Sequence, residues 1–217
     1  MVEEVAQEVQ EPINLLTMAS YGGWIMVVLA ILLALAIYLF VERLVVILKA
    51  GKEDHSFMDR IKDYIHEGKI DSAINLCKQT ATPAARMIEK GISRIGRPMN
   101  DVQVAVENVG NLEVAKLEKN LVILATIAAV APMLGFLGTV IGMVQTFYNM
   151  AGSASGVIEL SALSEGMYQA MVTTIGGLIV GILVMFAYNY LVARIDSVVR
   201  QLEGHTLEFM DLLNEPA

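Results

Sequence analysis

Threonines recur within two long uncharged stretches of this 217-residue chain. In the first stretch, one helical stripe contains Ala128, Pro132, Gly135, Thr139, Gly142 and Thr146. In the second, one stripe contains Ala170, Thr174, Gly177 and Gly181. A neighbouring stripe contains Gln169, Thr173 and Gly176, and Glu165, just before the uncharged stretch, continues it. Because a hydroxyl both donates and accepts hydrogen bonds, these faces can serve an ion, a water or a partner's carboxyl group.

Two simpler roles stay open for the same residues. A threonine hydroxyl can bond to a carbonyl of its own preceding turn. The pairs Gly138/Gly142 and Gly177/Gly181 form GxxxG patterns, which let two helix backbones approach closely. Pro132 lacks a backbone N–H and is expected to loosen its helix near Thr139. The pattern therefore predicts close helix packing, a polar path, or both.

The composition indicates that these stretches lie in a membrane. The chain is 55% hydrophobic and only 18% charged, whereas soluble domains are about 25% charged. Three uncharged stretches, 21–41, 121–158 and 166–193, reach the roughly 20 residues that a helix needs to cross a bilayer. The second is too long for one span, and its Gly- and Ser-containing end favours a turn after about residue 150.

The positive charges predict the orientation. All fifteen Lys and Arg lie within 43–119 or 194–217, and such residues are retained on the cytoplasmic side. The predicted order is an external segment 1–20, a transmembrane helix 21–42, a cytoplasmic helical domain 43–119, a transmembrane helix 120–150, an external loop 151–165, a transmembrane helix 166–193 and a cytoplasmic tail 194–217.

Apolar residues at helical spacing continue into the charged segments that precede the second span and follow the third. If 102–149 and 166–213 are each one helix, each is roughly 70 Å long. The predicted fold class is thus an all-α membrane protein with three transmembrane helices, two of them long and extending into the cytoplasm, and a small helical cytoplasmic domain. Residues 51–96 are predicted to form short helices packed on these rods.

The residue inventory argues against several function classes. His55, His66 and His205 are scattered through polar segments, so we expect no enzyme active site, no cofactor and no metal site. No window is basic enough to predict nucleic-acid binding. Cys77 is the only cysteine and is interpreted as a reduced, structural thiol.

Two segments resemble a known family. Residues 131–142, APMLGFLGTVIG, and 169–178, QAMVTTIGGL, are similar to the span-two and span-three motifs of the ion-driven motor subunits typified by ExbB, TolQ and MotA. Three spans and a short N-terminal segment resemble ExbB or TolQ more than the four-span MotA. The resemblance implies the bacterial inner membrane, with the external segments in the periplasm.

The resemblance also implies an assembly. It predicts a pentamer whose second and third spans line a central pore, occupied by single spans of an ExbD- or TolR-like partner that brings a membrane Asp. Proton passage past that Asp, assisted by threonines matching Thr139 and Thr174, would then energise outer-membrane transport through a TonB-like protein. Along the same faces, Thr146, Thr173 and Gln169 are further candidates for the ion path.

One position departs from the family pattern. Many members have Glu where this chain has Gln169, and an amide does not titrate. Glu165 lies one turn nearer the outside on the same stripe, and we hypothesise that it forms the outer mouth of the path. Its alternative role is that of an exposed acid stabilised at a helix start.

Other functions remain as alternatives to TonB energisation. They are a TolQ-like role in envelope maintenance, a gliding motor, a partner-independent channel and a passive scaffold. The sequence does not decide whether the driving ion is H⁺ or Na⁺. Since spans two and three carry no titratable side chain apart from Tyr, we expect the chain to conduct poorly on its own.

Overall fold

A computed structural model describes residues 22–52, 56–151 and 160–214, with the side chains of 160–162 and 165 left aside. The elements in these ranges are α-helices: α1 (Gly23–Ala50), α2 (Ser56–His66), α3 (Ile70–Thr80), α4 (Pro83–Ile92), α5 (Met99–Glu118), α6 (Leu121–Ala151) and α7 (Leu160–Asn214). The predicted external segment 1–20 and most of the predicted loop, 152–159, lie outside the described residues, as does His55.

Three helical stretches are long and apolar enough to cross a membrane. They are Gly23–Ala50, Met99–Ala151 and Gly166–Asn214. Large apolar side chains on these helices, including Phe136, Phe147 and Phe186, are exposed in the isolated chain, as expected of surfaces that meet lipid or neighbouring chains. The predicted class, an all-α membrane protein with three transmembrane helices, is confirmed.

The prediction of one uninterrupted helix over 102–149 is wrong at one point. Helix α5 ends at Glu118 and α6 begins at Leu121, because Asn120 adopts a left-handed conformation with φ of 66°. Asn tolerates this conformation better than most residues. In contrast, α7 runs without a break for 55 residues. Helix α1 continues past the predicted span end at residue 42 and stops at Ala50.

The chain divides into two compact units. The first comprises residues up to Ile37 together with Ile123–Phe186. Its buried positions are small or aliphatic and include Leu29, Leu124, Ala131, Ala170 and Val172. Here α1 packs against α7 at Gly176, where an added Cβ would lie 2.8 Å from Met26 Sδ.

The second unit comprises Tyr38–Val122 and the residues from Ala187 onward. Its core includes Ile61, Cys77, Ile88, Val106 and Phe209. Helix α4 is well defined at its start, because Thr82 Oγ1 accepts a hydrogen bond from Ala85 N at 3.3 Å and Pro83 occupies the first turn. This unit is the small helical domain expected between the first two spans, joined by the end of α7.

Candidate functional site

The backbones of α6 and α7 meet at two glycines. A Cβ added to Gly135 would lie 2.8 Å from Thr173 O and 3.1 Å from Gly177 Cα. A Cβ added to Gly177 would lie 2.6 Å from Ala131 O. No real Cβ fits at these distances, so the two helices approach this closely only because both positions are glycine.

The other small residues of the two stripes extend this contact, which we call the α6–α7 seam. A Cβ on Gly142 would be 3.0 Å from Ala170 Cβ, and a Cβ on Gly181 would be 2.5 Å from Pro132 Cγ. Gly138 lies directly against the Thr173 side chain. The seam is therefore built by the residue types that the sequence singled out, at the positions where the two stripes face each other.

Two adjacent threonines of α7 bond to the same carbonyl of α6. Thr174 Oγ1 donates to Gly135 O at 3.2 Å. Thr173 Oγ1 donates to Ala170 O at 2.7 Å and lies 3.4 Å from Gly135 O. Thr173 is only 2% exposed, whereas Thr174 is half-buried. Thr174 is therefore the member of the pair that an incoming group can reach.

The two threonines of α6 bond within their own helix. Thr139 Oγ1 donates to Phe136 O, and Thr146 Oγ1 donates to Gly142 O at 2.8 Å. Thr146 is buried against Gly166 of α7, while Thr139 is half-buried. In all four threonines the hydroxyl hydrogen is occupied by a carbonyl, so the oxygen lone pairs are what each hydroxyl offers to a further partner.

Two further candidates, Gln169 and Glu165, are nearer the start of α7. Gln169 is exposed, and its Nε2 would be 3.2 Å from a Cβ added to Gly23 at the beginning of α1. Glu165 belongs to α7, but its side chain lies outside the described residues. The hypothesis that Glu165 forms an outer mouth stays a hypothesis.

The seam has no acid or base of its own. Residues 121–151 and 166–193 contain no Asp, Glu, Lys, Arg or His. Within the described ranges, no group of three or more His, Cys, Asp or Glu is placed to hold a metal ion. Chemistry at the seam is thus limited to hydrogen bonding by hydroxyl, amide and carbonyl groups.

The structure also contains a buried charge that sequence reasoning missed. Glu113 of α5 is 4% exposed and accepts hydrogen bonds from Arg86 Nη2 and, at 2.6 Å, from Lys116 Nζ. Burial by itself raises the pKa of this carboxyl, but the hydrogen bonds and positive charges of Arg86 and Lys116 outweigh it and lower the pKa below its usual value. We call these three residues the Glu113 cluster.

The cluster is linked to α1 through the backbone of Lys116. Arg43 Nη1 donates to Lys116 O at 3.2 Å, and Arg43 Nη2 pairs with Glu42 Oε1 at 2.7 Å. Arg43 is itself buried. A signal for the cluster was present in the sequence, because Glu113 falls on the same helical stripe as Val102 and Val106, where a core residue is expected.

Comparison with known proteins now decides the family. The profile of the MotA/TolQ/ExbB proton channel family matches residues 79–204, which include the whole α6–α7 seam. This chain belongs to the MotA/TolQ/ExbB family. As a member of that family with three helices able to span a bilayer, it is a multi-pass membrane protein.

Relatives within the MotA/TolQ/ExbB family come from distant organisms. A protein of Methanothermobacter thermautotrophicus, named as a homolog of the biopolymer transport protein ExbB, is 34% identical over 66% of this chain and 50% of its own length. The Tol-Pal system protein TolQ of Haemophilus influenzae is 29% identical over 64% and 56%, respectively. The biopolymer transport protein ExbB of Aquifex aeolicus is 39% identical over 37% and 53%. The chain thus spans about half the length of these relatives.

Proposed function

We propose that this chain is the multi-pass subunit of an ion-driven motor in the inner membrane, with its N-terminus in the periplasm and its C-terminus in the cytoplasm. Five copies enclose single spans of an ExbD- or TolR-like partner, and the assembly energises a TonB-like protein that drives outer-membrane transport. Family membership supports the motor class, and the relatives named ExbB support the transport role.

The observation that carries the proposal is the state of the Thr174 hydroxyl. Its hydrogen is held by Gly135 O, so its oxygen is ready to accept a hydrogen bond. A protonated carboxyl is a donor, whereas a carboxylate is only an acceptor. Thr174 therefore favours the protonated form of a partner's acid at this depth, and the bond to Gly135 must open before the hydroxyl can donate to the ionised form.

Residues 121–151 and 166–193 contain no Asp, Glu, Lys, Arg or His, which supports a titrating group supplied by another chain. An Asp in a partner's span is such a group, and it would let a seam of hydroxyls and carbonyls act on protons. A membrane potential of about 180 mV supplies roughly 4 kcal/mol per proton, which is enough to shift a conformational equilibrium by about a thousandfold.

The test is native mass spectrometry of the complex purified in mild detergent from its native membranes. Five copies of this chain with a small, single-span protein that carries a membrane Asp is the expected result. A stable homo-oligomer without such a protein, combined with ion flux from the purified chain alone, would overturn the proposal in favour of a self-sufficient channel.

A TolQ-like role in envelope maintenance is the second candidate, and the similarity to TolQ of Haemophilus influenzae favours it. The two roles differ in their phenotypes. Deletion of the gene is expected to abolish uptake through TonB-dependent receptors in the first case. In the second, it is expected to cause leakage of periplasmic enzymes and sensitivity to detergent while uptake continues.

A further inference from the structure

An open groove runs beside α5, on the side facing the end of α4. It has a volume of about 730 Å³. Its lining combines apolar residues of α5, among them Val104, Val109 and Leu112, with the amides Asn100 and Asn108 and the charged residues Lys90, Arg94 and Asp101. Val104 is 46% exposed and Leu112 is 63% exposed. The groove thus presents exposed apolar side chains of α5 beside two positive charges.

The end of α7 carries a complementary ridge. Glu203, Leu207 and Asp211 are spaced four residues apart and are all exposed, so they line one face of the helix. Leu207 is 66% exposed, and Glu208 beside it adds a third carboxylate. The ridge is an exposed leucine flanked by three carboxylates, whereas the lining of the groove has two positive charges and one negative.

We propose that the groove of one copy receives the ridge of a neighbouring copy, with Leu207 packed against Val104 and Leu112. Glu203, Glu208 and Asp211 then face Lys90 and Arg94. Among the described residues, neither Lys90 nor Arg94 forms a salt bridge within the chain, so both charges are available. This inference rests on the proposed homo-oligomer and names the surfaces that join its subunits outside the membrane.

Charge complementarity favours a second copy as the occupant, since the groove is lined by Lys90 and Arg94 and the ridge carries Glu203, Glu208 and Asp211. The contact is heterologous, since groove and ridge are different surfaces. Repeated heterologous contacts form a closed ring when the rotation between copies closes, as the proposed homo-oligomer requires.

Cysteine cross-linking in native membranes tests the contact. On a Cys77→Ser background, the double variant Val104→Cys/Leu207→Cys is oxidised with copper phenanthroline and analysed on non-reducing gels. We expect a ladder of dimers and larger oligomers, and no ladder from either single variant. Lys69→Cys/Leu207→Cys is the matched control, because Lys69 is exposed but does not line the groove.

Charge reversal provides a second measurement. Arg94→Glu is expected to lower the cross-linking yield about two- to fivefold, the range of exposed ion pairs, and Asp211→Arg added to it is expected to restore the yield. Any of three results would overturn the contact. They are cross-linking no stronger than in the Lys69 control, cross-linking of Leu207→Cys to itself, and capture of a different protein by Leu207→Cys.

Native mass spectrometry distinguishes failure of this contact from failure of the motor proposal. A homo-oligomer that persists without the Val104–Leu207 cross-link would refute this contact and leave the motor proposal standing. Loss of the homo-oligomer itself, with the unmutated chain found as a monomer, would refute both.

Discussion

Thr174 of α7 donates its hydroxyl hydrogen to the carbonyl oxygen of Gly135 on α6, 3.2 Å away. The bond connects the two helices where Gly135 and Gly177 bring their backbones together. It also gives the hydroxyl two states, since its hydrogen can stay on Gly135 or turn toward a carboxylate. A hydroxyl placed in this way contributes to helix packing, and its part in an ion path stays a prediction.

The hydroxyl of Thr174 is expected to be essential for motor-dependent uptake. Thr174→Val keeps the shape of the side chain but removes the hydroxyl, and we expect uptake to fall at least about tenfold, as for other groups that relay or hold a proton. Thr174→Ser retains the hydroxyl and should preserve most of the activity. Thr206→Val, which removes a comparable hydroxyl bond from the second unit, is the control, and equal loss in both valine variants would refute the role.

The glycine contact of the seam is expected to tolerate no Cβ. In Gly177→Ala the new atom would lie 2.6 Å from Ala131 O, and overpacking of this kind costs about 1–3 kcal/mol. We expect a lower midpoint of thermal unfolding in detergent.

Gly204→Ala is the matched control for this change. Nothing lies within 4 Å of a Cβ at Gly204, and Ala is favoured over Gly in a helix by about 0.5–1 kcal/mol. Its midpoint is therefore expected to rise slightly. Unaltered stability in Gly177→Ala would show that the two helices can separate at little cost.

The Glu113 cluster predicts a dependence of stability on pH. The pKa of Glu113 is lower in the folded protein than in the unfolded chain, so its contribution is fully present above the unfolded value of about 4.3. That contribution is lost as the pH falls from about 4.3 through the folded-state pKa. Thermal unfolding measured from pH 7 to pH 3 should show the loss.

Glu113→Gln provides the comparison. It should lower the free energy of unfolding at pH 7 by about 1.5–3 kcal/mol, the range for hydrogen bonds to charged groups. It should also weaken the dependence of stability on pH below about pH 4.3. Glu107→Gln, at an exposed position of the same helix, should change neither quantity. If Glu113→Gln and the unmutated protein lose stability in parallel as the pH falls, the titration belongs to other groups.

Cys77 is expected to be inert in the folded protein. Burial, with a smaller contribution from the charge of Glu89, raises the pKa of the Cys77 thiol to about 12, and the thiolate is the form that reacts. Alkylation at pH 8 should therefore be slow until the protein is denatured. Leu207→Cys on a Cys77→Ser background should react rapidly under the same conditions, and equally fast alkylation of native Cys77 would contradict the assigned burial.

Sequence patterns predicted the elements best where one physical signal dominates. Apolar length predicted the second span as 120–150, and α6 is Leu121–Ala151. The helix break before it was missed because Asn120 is neither Gly nor Pro, and its left-handed conformation is set by the surrounding structure. At Leu112 and Glu113 residue type and helical position disagree, because the leucine is exposed and the acid on the stripe of Val102 and Val106 is buried.

The candidate site was predictable in kind but not in detail. The stripes of Gly, Ala and Thr identified the faces of α6 and α7 that meet. Hydrogen-bond partners were not predictable, since Thr173 and Thr174 are adjacent in the chain, yet Thr173 is buried and Thr174 is half-buried. The arrangement of these faces around a pore stays a prediction.

The small residues of the seam have a consequence for the entropy of the assembly. Gly135, Gly142, Ala170 and Gly177 have no rotamers to lose, so bringing α6 and α7 together at these positions costs no side-chain conformational entropy. Because these side chains have little conformational entropy to regain, heating does little at this contact to favour separation of the two helices. The two helices are expected to move as one rigid pair.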